Sequence, residues 1–416
     1  MSLKKLFIIM TLLLLLSIIK LQSVASFSKT IKHSRVMPGI EVLLSDNINI
    51  IAGKRAGLIT NPTGVTSEFV SSIDALHQHP QVHLVALFGP EHGVRGDIEA
   101  GKLVDDYIDP KTNIQVYSLY GKTRKPTAEM LRDVDVLLYD IQDIGSRAYT
   151  YIYTMALCME AAAEKGIPFI VLDRPNPLGG NRIEGNVLDP DFSSFIGLYP
   201  IPYVYGMTVG ELAELFNKEF NINCDLTVIP MKGWQREMLY EDTHLPWILP
   251  SPHVPQACTP MFVALTGCIG ELGTLSIGVG YTTPFRTVAA PWMNSSELAD
   301  ALNSLALEGV YFRPMNYIPY YSAFEGEYCN GVEIHITDID RISFQEVQVN
   351  ILTTIEKIYP DKDVFDTGRT GSFDKAYGTD TVRKEVMSGV SAENIISKWD
   401  DDLAKFKTIR DNYLIY

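Results

Sequence analysis

Four short apolar runs in the first half of the chain each break into a polar loop marked by glycine or proline, and this repetition limits the possible folds more than any other feature. Residues 56–60 run into Asn61-Pro62-Thr63-Gly64. Residues 83–88 run into Gly89-Pro90-Glu91-His92-Gly93-Val94-Arg95-Gly96. Residues 134–139 run into Asp140-Ile141-Gln142-Asp143-Ile144-Gly145-Ser146-Arg147, and 168–172 into Asp173-Arg174-Pro175-Asn176-Pro177. Bounded apolar runs of this length read as buried strands. Between them lie stretches with helical spacing, at 67–77 (Phe69, Val70, Ile73, Leu76), 150–165 ending at Gly166, and 209–220, with a short helix expected at 127–131. Further strands are expected at 114–119 and 226–230. Strands that are apolar throughout and alternate with helices predict an α/β fold with a mainly parallel sheet covered on both faces.

In such a sheet the carboxyl ends of the strands lie along one edge, where open α/β folds place their chemistry. The four polar clusters all follow their strands, so their side chains are expected to converge. Each cluster alone is equally explained as turn chemistry, since Asp, Asn, Gly and Pro favour turns for local reasons. From residue 234 to 255 the chain turns proline- and aromatic-rich, and a domain boundary is placed close by. Beyond it, a strand with a glycine-rich turn is expected at 274–285, helices at 296–307, 344–358 and 392–414, and an alternating strand at 332–337. This second half reads as a smaller α+β domain. Residues 26–50 read as a leader into the first domain.

The chain of 416 residues opens with Lys4 and Lys5, an apolar run from Leu6 to Ile19, and the small residues Ser23-Val24-Ala25. This is the pattern of a secretory signal peptide cleaved after Ala25; an uncleaved N-terminal anchor is the competing reading, and the run is short for a spanning helix. A secreted or periplasmic location is the resulting expectation. The formal charge is −15, and loss of the leader removes three lysines and no acid. Such a chain is poorly suited to non-specific binding of nucleic acid or anionic lipid, although a local arginine pocket is compatible with an anionic substrate. The five cysteines are widely spaced, with no CxxC pair, and Cys158 reads as a core thiol.

Glycoside hydrolysis commonly needs a proton donor and a second group that attacks, stabilises or activates water. Glu91, behind a proline on a glycine loop, is the carboxylate best placed to be acid/base. Asp140, Asp143 and Asp173 are possible second carboxylates, each equally readable as a helix cap or turn residue, and the residues leave open which of them pairs with Glu91. Arg95, Arg147, Arg174 and Arg286 offer forks for a substrate carboxylate, or structural pairs with nearby aspartates. Tyr149, Tyr151, Tyr153, Tyr203, Tyr205 and Tyr281 offer ring stacking or core packing, with Tyr281 singled out by its glycine-rich turn. His77, His79, His83 and His92 lack HExxH or other metal spacing, and there is no GxGxxG, GxSxG or GxxxxGK[ST] loop. No metal, nucleotide or redox cofactor is expected.

The segments Phe88–Gly96, Tyr139–Arg147 and Leu172–Gly180 closely resemble the signature segments of the NamZ-type exo-β-N-acetylmuramidases, long described as a family of unknown function. Tyr203-Val204-Tyr205-Gly206-Met207-Thr208, Leu249-Pro250-Ser251-Pro252-His253 and the closing Arg410–Tyr416 resemble that family too, so the likeness spans nearly the whole mature chain. The resemblance implies a Rossmann-like catalytic domain, placed at 26–262, and an ancillary C-terminal domain at 263–416. It implies release of N-acetylmuramic acid from non-reducing ends of peptidoglycan fragments without a cofactor, with Glu91 and, as a site tyrosine, Tyr281 as the catalytic residues. The expected substrate-binding set is Asn61, His92, Arg95, Asp140, Gln142, Asp143, Arg147, Asp173, Arg174 and Asn176. The lactyl group of muramic acid is an anion, a natural partner for one of the loop arginines. Two other functions compete with this one: a non-catalytic sugar- or muropeptide-binding protein on the same scaffold, and a metal-dependent hydrolase using His92.

Overall fold

The computed structural model describes residues 35–96, 105–365 and 368–416; the expected signal peptide lies outside the described residues. The four strands read from sequence are present as β1 (Arg55–Thr60), β2 (His83–Gly89), β5 (Val136–Asp140) and β6 (Phe169–Leu172). With β3 (Tyr107–Ile108), β4 (Gln115–Ser118) and β9 (Leu226–Ile229) they build one seven-stranded sheet of order β3-β4-β2-β1-β5-β6-β9. Every neighbouring pair is parallel except β3 with β4. The chain leaves β1 toward β2 on one side and later returns to β5 on the other. The β1/β5 boundary is therefore the point where the strand order reverses, which is where ligands settle in open sheets.

Alternation along the strands explains why both faces are covered. Ile59, Leu137 and Tyr139 point to one face and pack under α3 (Tyr151–Lys165) and α4 (Val209–Glu219). Leu58, Val136 and Leu138 point to the other, under α1 (Gly39–Val42) and α2 (Ser72–Gln78). Because successive side chains alternate, one apolar run feeds two cores. Residues 39–50 are thus part of the fold rather than a leader: Ile40, Val42 and Leu43 are buried, and the Gly39 N–H donates to the Asp173 carbonyl at 2.9 Å. A Cβ on Gly39 would lie 2.3 Å from the Asp173 nitrogen, so only glycine allows this approach.

The second half is built on an antiparallel sheet of order β10-β12-β11, from β10 (Thr287–Ala290), β11 (Val310–Tyr317) and β12 (Cys329–Ile336), with α5 (Thr259–Gly270), α6 (Ser295–Asn303) and α7 (Phe344–Ile358). Its core takes in Leu178, Tyr203 and Val204 from the first half, two of them from the small hairpin of β7 (Glu184–Val187) and β8 (Pro202–Val204). Two local expectations need correction. Residues 128–133 form turns rather than a helix, with the Leu131 N–H to Thr127 carbonyl bond of 3.2 Å not continued into a further turn. Residues 274–285 hold no strand: Ser276 alone bridges to Ala289, and turns come after it. Gly278 and Gly280 there have positive φ, 80° and 91°, which breaks a ladder.

The C-terminal helices, α8 (Thr370–Tyr377), α9 (Thr381–Met387), α10 (Ala392–Ile396) and α11 (Asp400–Arg410), return the chain to the first sheet. Arg410 Nε donates to the Gly206 carbonyl at 3.1 Å. The Tyr416 hydroxyl donates to Asp173 Oδ2 at 2.6 Å and accepts from the Met231 N–H at 2.7 Å. Among the described residues no helix is long and apolar enough to cross a membrane.

Candidate active site

The loop after β2 is shaped by its backbone. His92 adopts φ 74°, Gly93 73° and Gly96 78°, and a side chain at Gly96 would collide with Pro62, whose Cγ lies 2.5 Å from the Cβ position. A positive φ at a non-glycine residue is a strained conformation, tolerated best by Asn, Asp and His and found often at functional sites. The turn folds back on the loop after β1 and leaves Glu91 half-buried on the wall of a cleft of about 530 Å³. His92 lines the same cleft. So do Tyr120 and Arg124 after β4, Tyr149 and Tyr151 at the start of α3, Phe195, Ser251 and His253, Glu271 after α5, and Lys375 of α8. The cleft thus lies between the loops after β2 and β4 and the start of α3, and the second half supplies one of its walls.

Tyrosines surround the glutamate. Tyr149 and Tyr151 meet edge to face at 5.0 Å, and the Tyr151 hydroxyl is anchored on the Pro250 carbonyl. Burial, then the charge and hydrogen bond of Glu91, raise the Tyr120 hydroxyl above its ordinary range. Tyr120 is therefore a neutral donor beside the carboxylate. Burial and the neighbouring His92 hold His253 below the usual imidazole value, so it is neutral at pH 7, with Nε2 3.0 Å from the Tyr321 hydroxyl.

The other strand-end residues stand behind this wall, engaged with one another. Asp140 and Arg174 form a buried two-pronged pair, Nε–Oδ1 2.6 Å and Nη2–Oδ2 3.0 Å, with Ser72 as a further donor to Asp140. Asp173 accepts from the Arg174 and Gly210 N–H groups at 2.9 and 2.8 Å and from the Thr208 hydroxyl at 2.8 Å. It thereby fixes the start of α4 beneath the capping box of Thr208 and Glu211. Asp143 accepts from the Tyr205 hydroxyl and the Gly145 N–H. Burial pushes both Asp143 and Asp173 up to about 6, against partial relief from these donors. Gln142 bridges the Asp143 and Pro175 carbonyls at 2.7 Å each, Asn61 accepts from the Thr63 N–H at 2.9 Å, and Asn176 spans the Met207 carbonyl and the Leu178 N–H at 2.9 Å each. These contacts set the loops rather than face the cleft.

The arginines expected to meet a substrate anion are also committed elsewhere. Arg95 grips Asp109 through two 2.9 Å bonds and touches Asp74 at 3.2 Å. Arg147 is fully buried on the carbonyls of Asn186, Ile201 and Tyr377, joining the two halves. Arg286 lies over the Phe262 ring, 3.9 Å from Glu333. Of the remaining tyrosines, Tyr153, Tyr203 and Tyr205 are core. Tyr281 stacks on Tyr317 at 4.8 Å and Tyr320 at 5.7 Å, in an aromatic patch that reaches the cleft through Tyr321 and His253. The structure thus brings Glu91, His92, Tyr149 and Tyr151 together and sets the other candidates apart. Tyr120 and Arg124 went unmarked in sequence although they come after a strand. Glu271 sits in a Gly-Glu-Leu-Gly turn, and Lys375 carries no local signal.

Two family models cover the chain: "Exo-beta-N-acetylmuramidase NamZ, N-terminal" at residues 56–258 and "Exo-beta-N-acetylmuramidase NamZ, C-terminal" at 264–416. The chain belongs to the NamZ family. It is 50% identical over 415 residues, 99% of this chain and all of the relative, to the peptidoglycan β-N-acetylmuramidase NamZ of Bacillus subtilis (strain 168). Two crystal structures of DUF1343 family proteins from Bacteroides fragilis NCTC 9343 share the fold. One has a TM-score of 0.88 and 48% identity, the other 0.73 and 31%; each match covers 92% of this chain and 99% of the other. As a NamZ family member the chain is a glycoside hydrolase.

Proposed function

We propose that this chain is an exported, exo-acting β-N-acetylmuramidase that releases N-acetylmuramic acid from the non-reducing ends of peptidoglycan fragments, with Glu91 as its general acid/base. The observation that carries the reading is the position of Glu91. It is the strand-end carboxylate turned to the cleft, on a backbone turn held in a strained conformation, while Asp140, Asp143 and Asp173 are tied down behind it. In glycoside cleavage the protonated Glu91 would hand its proton to the departing sugar oxygen, and the resulting carboxylate would then take a proton from the attacking water. Tyr120, Tyr149 and Tyr151 offer hydroxyl donors and ring faces to the sugar. Glu271 is the other carboxylate among the described residues lining the cleft, and it lies 3.6 Å from Arg369.

Export is supported by the lysine-led apolar run and the small residues at 23–25, and suits a substrate in the cell wall. The protein recovered outside the cytoplasm is expected to begin at Ser26 by N-terminal sequencing. The deciding experiment is turnover of a chromogenic muramic acid β-glycoside by Glu91→Gln. Loss of activity with an unchanged melting temperature supports the assignment, and near-normal turnover removes Glu91 from the mechanism. Calorimetric binding of muropeptides by a wild-type protein that releases no sugar would favour a binding module instead.

A further inference from the structure

The strongest unexplained feature of the cleft is its cations. Arg124 and Lys375 both line it, and neither makes an ion pair or hydrogen bond with any described residue. This is unusual in a chain of charge −15, in which the other strand-end arginines, Arg95, Arg147 and Arg174, are hydrogen-bonded to carboxylates or carbonyls. Glu271, a carboxylate on the same wall, has its own arginine in Arg369.

Arg124 is nonetheless held. Its guanidinium carbon lies 3.9 Å from the centroid of the Phe195 ring and 5.8 Å from that of Tyr120. Stacking of this kind fixes the guanidinium plane while leaving its N–H fork exposed to a ligand. Tyr120 carries Glu91 on its hydroxyl and Arg124 near its ring, so the proton donor and the free fork share one wall, an aromatic ring apart. A muramyl residue is a substrate of matching polarity: the scissile oxygen is at C1, and the lactyl carboxylate hangs from O3 across the ring.

Resting on the muramidase reading, we infer that Arg124, supported by Lys375, binds the lactyl carboxylate of the muramyl residue and so selects muramic acid over uncharged hexosamines. Arg124 supplies the planar fork for the carboxylate. Lys375, exposed on α8, adds a point charge from the second half of the chain. The arginine expected from sequence to meet the lactyl anion is thus none of those at the ends of β2, β5 or β6 but the one beyond β4.

The test is equilibrium binding, which does not depend on turnover. Free N-acetylmuramic acid and its lactyl methyl ester are titrated into the full-length protein by calorimetry. The acid is expected to bind about 10- to 100-fold more tightly than the ester, the range for a hydrogen-bonded charge, and the preference is expected to shrink as salt is raised. In Arg124→Ala the preference collapses toward unity, Arg124→Lys retains part of it, and Lys375→Ala gives the smaller loss. Both positions are exposed, so unchanged melting curves exclude misfolding as the cause. Equal binding of acid and ester by the wild type, or a preference that survives Arg124→Ala, overturns the assignment while leaving Glu91 untouched. If the wild type binds neither compound yet remains folded, the muramidase reading itself fails and this inference with it.

Discussion

The loop after β2 and the loops after β5 and β6 leave the same edge of the same sheet, carry the same residue types, and do opposite things. Glu91 projects from a turn with three positive φ values and meets the cleft through tyrosines. Asp140 and Asp173 leave their strands and are at once enclosed by Ser72, Arg174, Gly210 and Thr208. The difference lies in the course of the chain beyond each strand. After β2 the backbone turns at His92, Gly93 and Gly96 back on Pro62, and Glu91 lines the cleft. After β5 and β6 the acids are taken up by groups of neighbouring segments: Ser72 of α2 and Arg174 hold Asp140, and Thr208 and Gly210 at the start of α4 hold Asp173. A carboxylate at a strand end therefore lines the cleft or is built into the fold according to the course of the chain around it.

Four substitutions, one of them read across pH, probe this contrast. The largest effect is expected at Glu91. Glu91→Gln should lower turnover of a muramic acid glycoside by about 10²–10⁴-fold without moving the denaturation midpoint. Asp140→Asn should do the reverse. Removing one partner of a buried pair strands the Arg174 charge and costs about 3–5 kcal/mol, read as a lower urea midpoint with the slope retained; Arg174 and Asp140 side chains are 4% and 0% exposed.

The third is a pH effect at Asp143. Its folded pKa of about 6 exceeds its unfolded value, so its contribution to stability is fully present below about pH 4 and is lost as pH rises through about 6. In Asp143→Asn the amide keeps an acceptor for Tyr205 but cannot ionise. Relative to wild type, the variant should gain stability between about pH 4.5 and 7, by about 2–3 kcal/mol at most for a shift of this size. Chemical denaturation at the two pH values measures it; a difference that stays flat across this range would mean that Asp143 does not ionise there. The smallest effect is Thr208→Ala, which removes the cap above Asp173 and should cost about 1 kcal/mol, with the cleft chemistry unaltered.

The α/β fold was legible because its signals are local: apolar runs of strand length, helical spacing between them, and turn residues at the junctions. The place of Glu91 on the cleft was legible for the same reason, since Gly-Pro-Glu-His-Gly breaks the chain at a strand end. The fate of the remaining polar residues was not. Arg174 meets Asp140 across 34 positions, and Tyr205 reaches Asp143 across 62; such partners are fixed by sheet order, which the residues do not spell out. Arg124 obeys the strand-end rule that marked the others, but Tyr120-Gly121 reads as an ordinary turn and hides the arginine three positions beyond it. Lys375 reaches the cleft from a helix of the second half, and nothing in its neighbours announces this. Residues 39–50 looked like a leader because their turns are short and mixed in type, yet burial of Ile40, Val42 and Leu43 makes them a layer of the first sheet.

The contact between Asp173 and Tyr416 bears on how this molecule comes into being. Asp173 anchors the opening of α4 and receives the hydroxyl of Tyr416, 243 positions away in sequence. While the polypeptide is being synthesised, that buried acid must wait for the Tyr416 ring to be made and to leave the ribosomal tunnel before its hydrogen bonds are complete. The N-terminal sheet is therefore expected to mature late and together with the rest, as one cooperative event of high contact order, and a fragment lacking the last few residues should behave as a loosened version of the whole rather than as a shorter enzyme.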